Sequence, residues 1–261
     1  MGDSITNGYP YVGTENTYPA RLLVMLEAAY GSGSYDLMNH GVNDYRADQV
    51  LDDLQNLNWM TEDNPDFVLL MVGGNDLAQE ANPFNVFQVI DQTVAEGQAI
   101  VDVVTTHTNA DGSHPQIIVS AFTLILDYWG SLALSLYNSS LDSDLTGVDL
   151  WFTDNWDDFY DPDTDQARAS LMYDTVHPNA DGYAVMAENW FEAVNSLHCD
   201  LFGDVDCDCD VDGVDIMLVA SRWRSAETDE DYNLAYDLDD DGDIDIVDIT
   251  KVAAHWGETC E

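Results

Sequence analysis

Positive charge is what this 261-residue chain has least of: six Lys and Arg residues, with Lys251 the single lysine, against 51 Asp and Glu. Binding to nucleic acid or to an anionic membrane surface draws on clustered Lys and Arg, so both are excluded as partners. Long apolar runs are missing too. No stretch reaches the roughly 18 apolar residues that a spanning helix needs, which excludes a membrane span. Cysteine is absent from the first 198 residues. All four (Cys199, Cys207, Cys209 and Cys260) fall in the last quarter. No Pro- or Ser-rich linker separates that quarter from the rest, so a short junction near residues 198–202 is expected.

What is present is ordinary enough to fold. Hydrophobic residues make up 46% and aromatics 11% of the chain, which excludes global disorder. The formal charge of −45 divides into −28 over residues 1–198 and −17 over residues 199–261. A solvated acidic surface or adaptation to a salty medium accounts for the first share. Clustered, even-numbered cysteines beside acidic loops point to an oxidising, extracellular setting.

The first 198 residues alternate short apolar runs with amphipathic stretches. Residues 35–38, 67–72, 117–121 and 148–150 read as strands, the middle two as continuous apolar runs suited to a buried parallel sheet. Residues 18–30, 47–57, 86–106 and 180–197 carry apolar positions at three-and-four spacing and read as helices. The alternation predicts a layered α/β domain. Residues 126–165 read as a mixed loop with one short helix.

Three patches in that region carry chemistry. Gly2-Asp3-Ser4-Ile5-Thr6 sets a serine among small residues; Val72-Gly73-Gly74-Asn75-Asp76 follows a strand, where open α/β sheets bind ligands. Asp174 and His177 stand three apart before the last helix, a spacing that lets a carboxylate hold an imidazole tautomer. A serine nucleophile needs a base, a carboxylate behind the base and donors for an oxyanion. With Asn39-His40-Gly41, these residues resemble, in order and spacing, the four sequence blocks of the SGNH (GDSL) hydrolases.

That resemblance implies a three-layer, flavodoxin-like sheet and a carboxylic-ester hydrolase. It implies Ser4 as nucleophile, His177 as base and later acid, and Asp174 as the group that orients His177. The oxyanion hole would comprise the Ser4 amide, the Gly41 amide and the Asn75 side chain. Two departures stand out. Asp44 occupies the last glycine of the family's Asn-x-Gly-x-x-Gly block, and the strand that usually precedes the nucleophile is missing. An upstream strand and a secretion signal are therefore expected beyond the start of this sequence.

The tail carries a repeat. Residues 215–223 recur as residues 248–256, offset by 33 residues, each copy preceded by an Asp-rich run. Asp237, Asp239, Asp241, Asp245 and Asp248 fall at positions 1, 3, 5, 9 and 12 of a twelve-residue calcium loop, with Gly242 at the sharp sixth position. The first copy supplies Asp204, Asp206, Asp208, Asp212 and Asp215, with Cys209 at the glycine position. Two structural Ca2+ sites are expected, with no cofactor for catalysis. The pair resembles a type I dockerin, an α-helical module that implies a cohesin-like scaffold partner. Positions 10 and 11, often a hydroxyl pair there, are Gly213-Val214 and Ile246-Val247. A bridge between Cys207 and Cys209 is strained, and bridges to Cys199 and Cys260 are geometrically easier; the connectivity stays open.

The resulting expectation is a secreted serine esterase (1–198) with a calcium-dependent anchoring domain (199–261). Acetylated polysaccharide is its first substrate class. Longer acyl esters are the alternative, which would call for an apolar groove near residues 122–137. A calcium-dependent assembly protein with an inactive hydrolase body is the rival of another class.

Overall fold

The computed structural model describes residues 1–8, 12–197, 201–205, 210–226, 232, 236–239 and 241–259. It divides into two compact units, Met1–Val194 and Asn195–Glu261. The cysteines, Asp206 and Asp208 lie outside the described residues.

The first unit runs through helices α1 (Ser4–Asn7), α2 (Tyr18–Tyr30), α3 (Ala47–Asn56) and α4 (Trp59–Asp63), then strand β1 (Phe67–Leu70). Helices α5 (Gly74–Glu80) and α6 (Val86–Thr105), strand β2 (Gln116–Ser120), helix α7 (Tyr128–Asp144) and strand β3 (Leu150–Phe152) follow. Helix α8 (Asp154–Asp157), a hairpin of β4 (Tyr160–Asp161) and β5 (Gln166–Ala167), and helix α9 (Ala180–Leu197) complete it. Strands β1, β2 and β3 pair in parallel in that order, Leu69 opposite Ile118 and Ile118 opposite Leu150.

Side-chain alternation along these strands builds three layers. Val68, Leu70, Ile117 and Val119 face Val50 and Leu54 of α3 and Ile100 and Val104 of α6. On the opposite face Phe152 packs edge-on against Trp190 of α9, which stacks on Tyr18 of α2. The chain is thus an α/β protein with a buried parallel sheet.

Gly2 extends the sheet by one bridged residue, paired in parallel with both Gly41 and Met71. The Met1 amino group donates to Leu69 O at 2.6 Å, and Val42 N–H donates to Gly2 O at 3.1 Å. Beyond this point residues 36–39 and β1 flank a cavity of about 410 Å3 whose lining includes Leu22, Leu26, Leu37, Met38 and Leu69. Residues 35–38 form no strand, contrary to the sequence expectation. Apolar composition alone does not make a strand without a hydrogen-bonded neighbour, and only Gly41 meets one.

Two other expectations are corrected. The strand expected over 148–150 is β3, which starts at Leu150. Residues 126–165 are mostly regular, dominated by the 17-residue α7. Its Gly130, Ser131, Ser135, Asn138, Ser139 and Ser140 have low helix propensity and hide the pattern. Tertiary bonds override it. Asn138 accepts from Phe122 N–H and donates to Phe122 O, both at 2.9 Å, and Asp127 caps the helix through Gly130 N–H. Phe122 and Leu124 are buried, so these residues of the 122–137 segment are core and not groove.

In the second unit, α10 (Gly213–Ser221) and α11 (Ile246–Ala254) enclose Val211, Val219, Ile244 and Val252. The four are two pairs 33 residues apart, matching the sequence repeat.

Candidate active site and acidic loops

Three chain segments converge at the carboxyl edge of the sheet. Ser4 opens α1, whose N-cap Asp3 accepts the Ile5 N–H at 2.9 Å. The approach to it is tight. A side chain on Gly2 would meet Thr6 Oγ1 at 2.2 Å and Met71 O at 2.6 Å, and one on Gly41 would meet Asn7 N at 2.4 Å. Asn39 Nδ2 donates to Thr6 O and Asn7 Nδ2 to Gly41 O, locking the first two blocks together.

The Ser4 hydroxyl lies 3.0 Å from His177 Nε2. On the other side of the ring, Nδ1 is 3.0 Å from both carboxylate oxygens of Asp174. A carboxylate only accepts, so Nδ1 carries the proton and Nε2 is the acceptor for the serine hydroxyl. Asp174 Oδ1 also accepts the N–H groups of Val176 and His177, each at 2.8 Å. Burial raises the Asp174 carboxyl, but the backbone donors and His177 more than offset it and hold it below the ordinary range. The arrangement is a hydrogen-bonded relay from carboxylate to imidazole to hydroxyl.

The third segment follows β1. Gly73 adopts φ +104°, a conformation favouring glycine, and a side chain there would strike Tyr137 at 2.4 Å. Gly74 lies against Phe122 in the same way, at 2.2 Å. Asn75 Nδ2 donates one hydrogen to Tyr45 O at 2.9 Å. An amide nitrogen has two, so a second donor remains. Asp76 is buried and accepts the Ala47 N–H, and burial pushes its carboxyl up to about 6.

The structure corrects one expected donor. The Gly41 N–H is committed to Asn39 Oδ1 at 2.9 Å, because the Asn39 side chain folds back over it. The sequence marked Asp44, three residues on, only as a departure from the family block. Asp44 sits at φ +65° in a turn closed by Tyr45 N–H to Val42 O. Its N–H donates to nothing among the described residues. Its carbonyl takes Gln79 Nε2 at 3.1 Å, so α5 clamps this turn through both Asn75 and Gln79. The signal in the sequence was Asp44 itself, standing where a glycine's left-handed conformation is needed.

In the second unit the carboxylates of Asp237, Asp239 and Asp241 offer oxygens within 4.8 Å of one another. Asp239 Oδ1 is buried with no hydrogen-bond partner among the described residues, which suits an oxygen able to meet a cation. Gly242 takes φ +88° at the sharp turn. Asp248, fully buried, accepts Leu238 N–H and Asp245 N–H at 2.7 Å each, and Asp245 caps α11. The first loop repeats this around buried Asp215, which accepts Val205 N–H at 2.7 Å and Asp212 N–H at 2.6 Å, while Asp212 caps α10. Asp204 is also buried. Each oxygen of Asp248 accepts one N–H and can still coordinate through a second lone pair, so the residues present fit a hard, oxygen-preferring cation.

The serine, imidazole and carboxylate thus meet at the carboxyl edge of a parallel sheet, and the comparisons place the chain in a family. The model of the GDSL-like lipase/acylhydrolase family matches residues 1–185. The chain belongs to that family and is a carboxylic-ester hydrolase. Among solved structures it is similar to the acetyl xylan esterase AlAXEase, with 20% identity over 74% of this chain and 96% of that one, TM-score 0.56. A lipolytic G-D-S-L family member from Veillonella parvula shares 18% identity over 75% and 96%, TM-score 0.51. A carbohydrate acetylesterase family member from Sinorhizobium meliloti shares 17% over 75% and 95%, TM-score 0.51. These likenesses bear on the fold. No curated protein matches the chain.

Proposed function

We propose that the chain is a secreted serine esterase that removes acetyl groups from polysaccharide, working through an acyl-enzyme on Ser4. The observation that carries this reading is the unbroken relay of Ser4, His177 and Asp174 at 3.0 Å per step. His177 Nε2 takes the hydroxyl proton as Ser4 Oγ attacks the ester carbonyl, and Asp174 stabilises the resulting imidazolium. When the tetrahedral intermediate collapses, the proton passes to the leaving alcohol. Water, deprotonated by the same nitrogen, then attacks the acyl-enzyme and releases the acid.

The oxyanion needs donors arranged before the charge develops. Ser4 N–H, the second Asn75 hydrogen and Asp44 N–H are the groups we assign, with Asp44 taking the role first expected of Gly41. Removing one such donor costs about 10^2–10^3 in kcat in comparable sites.

Two of the similar structures, an acetyl xylan esterase and a carbohydrate acetylesterase family member, support the substrate class. The body's negative charge favours neutral acetylated sugars over polyuronates. In the tail, Asp237, Asp239, Asp241, Asp245 and Asp248 would hold one Ca2+ and Asp204, Asp206, Asp208, Asp212 and Asp215 another. The ions would fix the loops against the helices and leave catalysis untouched. A module of this kind suits an extracellular anchor with a cohesin-like partner.

The test is hydrolysis of p-nitrophenyl acetate and of acetylated xylan by the chain and by Ser4→Ala. Activity lost in the variant supports the reading. Activity retained in Ser4→Ala overturns the nucleophile, and a folded, calcium-loaded chain inert on both esters overturns the esterase.

A further inference from the structure

A second cleft opens on the first unit, outside the relay. It measures about 190 Å3 and is walled by Trp151 and Trp156, with Ser135, Ser139, Asp142 and Asp157 among the residues around them. Both tryptophans are part-exposed, Trp151 on β3 and Trp156 on α8. Indole rings stand beside hydroxyls and carboxylates there, with no Lys or Arg in the lining. Its counterpart is a neutral sugar, which offers apolar C–H faces to an aromatic ring and hydroxyl donors to carboxylates around its edge.

The location adds a second argument. Ala121 and Thr153, also in the lining, directly follow β2 and β3, at the same carboxyl edge from which Ser4 and Asn75 project. Counting across the sheet from Gly2 through β1 and β2 to β3 gives three strand spacings, about 14 Å. One segment serves both places. Ala121 lines the cleft, Phe122 supports Gly74, and Leu126 N–H donates to Thr175 O in the His177 loop at 2.8 Å. Asn138, another lining residue, fixes both backbone groups of Phe122. A chain of several sugar rings seated at Trp156 would therefore extend along the edge towards Ser4.

We propose that this cleft is an oligosaccharide subsite, holding neutral sugar rings of a polysaccharide whose ester lies at Ser4. The substrate role rests on the esterase reading above, but binding itself does not. Asp142 and Asp157 would accept hydrogen bonds from sugar hydroxyls and disfavour uronic acids. Thr153 Oγ1 donates to Asp157 Oδ2 at 2.7 Å, which already orients that carboxylate.

Binding of unacetylated xylohexaose, cellohexaose and mannohexaose to the Ser4→Ala chain, measured by calorimetry, tests the site without any turnover. At least one should bind, with Kd raised tenfold or more by Trp156→Ala and by Ser139→Arg. The second substitution fills the cleft from an exposed helical position, so it guards against a folding defect in the first. In the unmodified catalytic background, both changes should raise KM for acetylated oligosaccharide while the p-nitrophenyl acetate rate stays the same. Failure of all three sugars to bind, or binding unaffected by both changes, overturns the subsite. An inert wild type towards p-nitrophenyl acetate would instead strike at the esterase reading alone.

Discussion

Replacing Asp3 by Asn should stabilise the folded chain at pH 8 and leave it unchanged at pH 4. Asp3 is 3% exposed, directly before Ser4, and burial, with a contribution from the charge of Asp76, pushes its carboxyl up to about 7. In an unfolded chain the same group titrates near 3.9. The native state therefore holds the proton more tightly between these values. Stability linked to Asp3 is fully present below about pH 4 and is lost as pH rises through about 7. Three pKa units correspond to about 4 kcal/mol at most. An asparagine cannot ionise, and its Oδ1 can still accept the Ile5 N–H that Asp3 accepts now. Urea denaturation at pH 4, 6 and 8 would measure the difference, with exposed Asp91→Asn as the control for removing one acid from a chain of charge −45. The expected gain is about 2–4 kcal/mol at pH 8, shrinking towards zero at pH 4. A gain no larger than that of the control, or one independent of pH, would refute the assignment of a buried, proton-holding carboxyl.

Other outcomes follow from the same geometry. Ser4→Ala and His177→Ala should each lower kcat on p-nitrophenyl acetate by about 10^6, and Asp174→Asn by about 10^3–10^4, with the double variant no worse than the worst single. Gly73→Ala should cost about 2–5 kcal/mol in denaturant unfolding, since φ +104° adds backbone strain to the overlap with Tyr137. Calcium at 100 times its Kd should stabilise the second unit by about 2.7 kcal/mol per occupied site in thermal unfolding, and chelator should remove the effect. Asp248→Ala should remove the second loop's share of that stabilisation, because it deletes a proposed ligand and the acceptor of two backbone N–H groups.

The relay was legible because its chemistry is local in sequence. Asp174 and His177 are three apart, and the serine sits in a glycine-flanked turn that few other residues tolerate sterically. Which backbone donors stay uncommitted was less legible. Sequence blocks name residue types but do not say which N–H is already spent, and the Asn39 side chain spends that of Gly41. Helix α7 was invisible for a related reason. Its serines and Asn138 argue against a helix locally, while the bonds that hold it reach 16 residues back to Phe122. Asn138 also opens a glycosylation sequon, yet it is buried with its oxygen and nitrogen both engaged, so the motif is not an exposed acceptor in the fold.

The 33-residue repeat was fully readable, but its consequence is visible only in three dimensions. Ile244, at position 8 of the second loop, bonds through its backbone to Arg224 and Ser225, just after α10. Val211, at position 8 of the first, bonds in the same way to Gly257 and Glu258, just after α11. Each loop therefore clasps the segment that follows the other loop's helix. One copy alone would leave its position-8 residue without backbone partners and half of the Val211, Val219, Ile244 and Val252 cluster exposed. The two copies fold as one object. A cation bound in either loop would then steady the backbone pairing of the other, and Asp248→Ala should be felt around Asp215 as well.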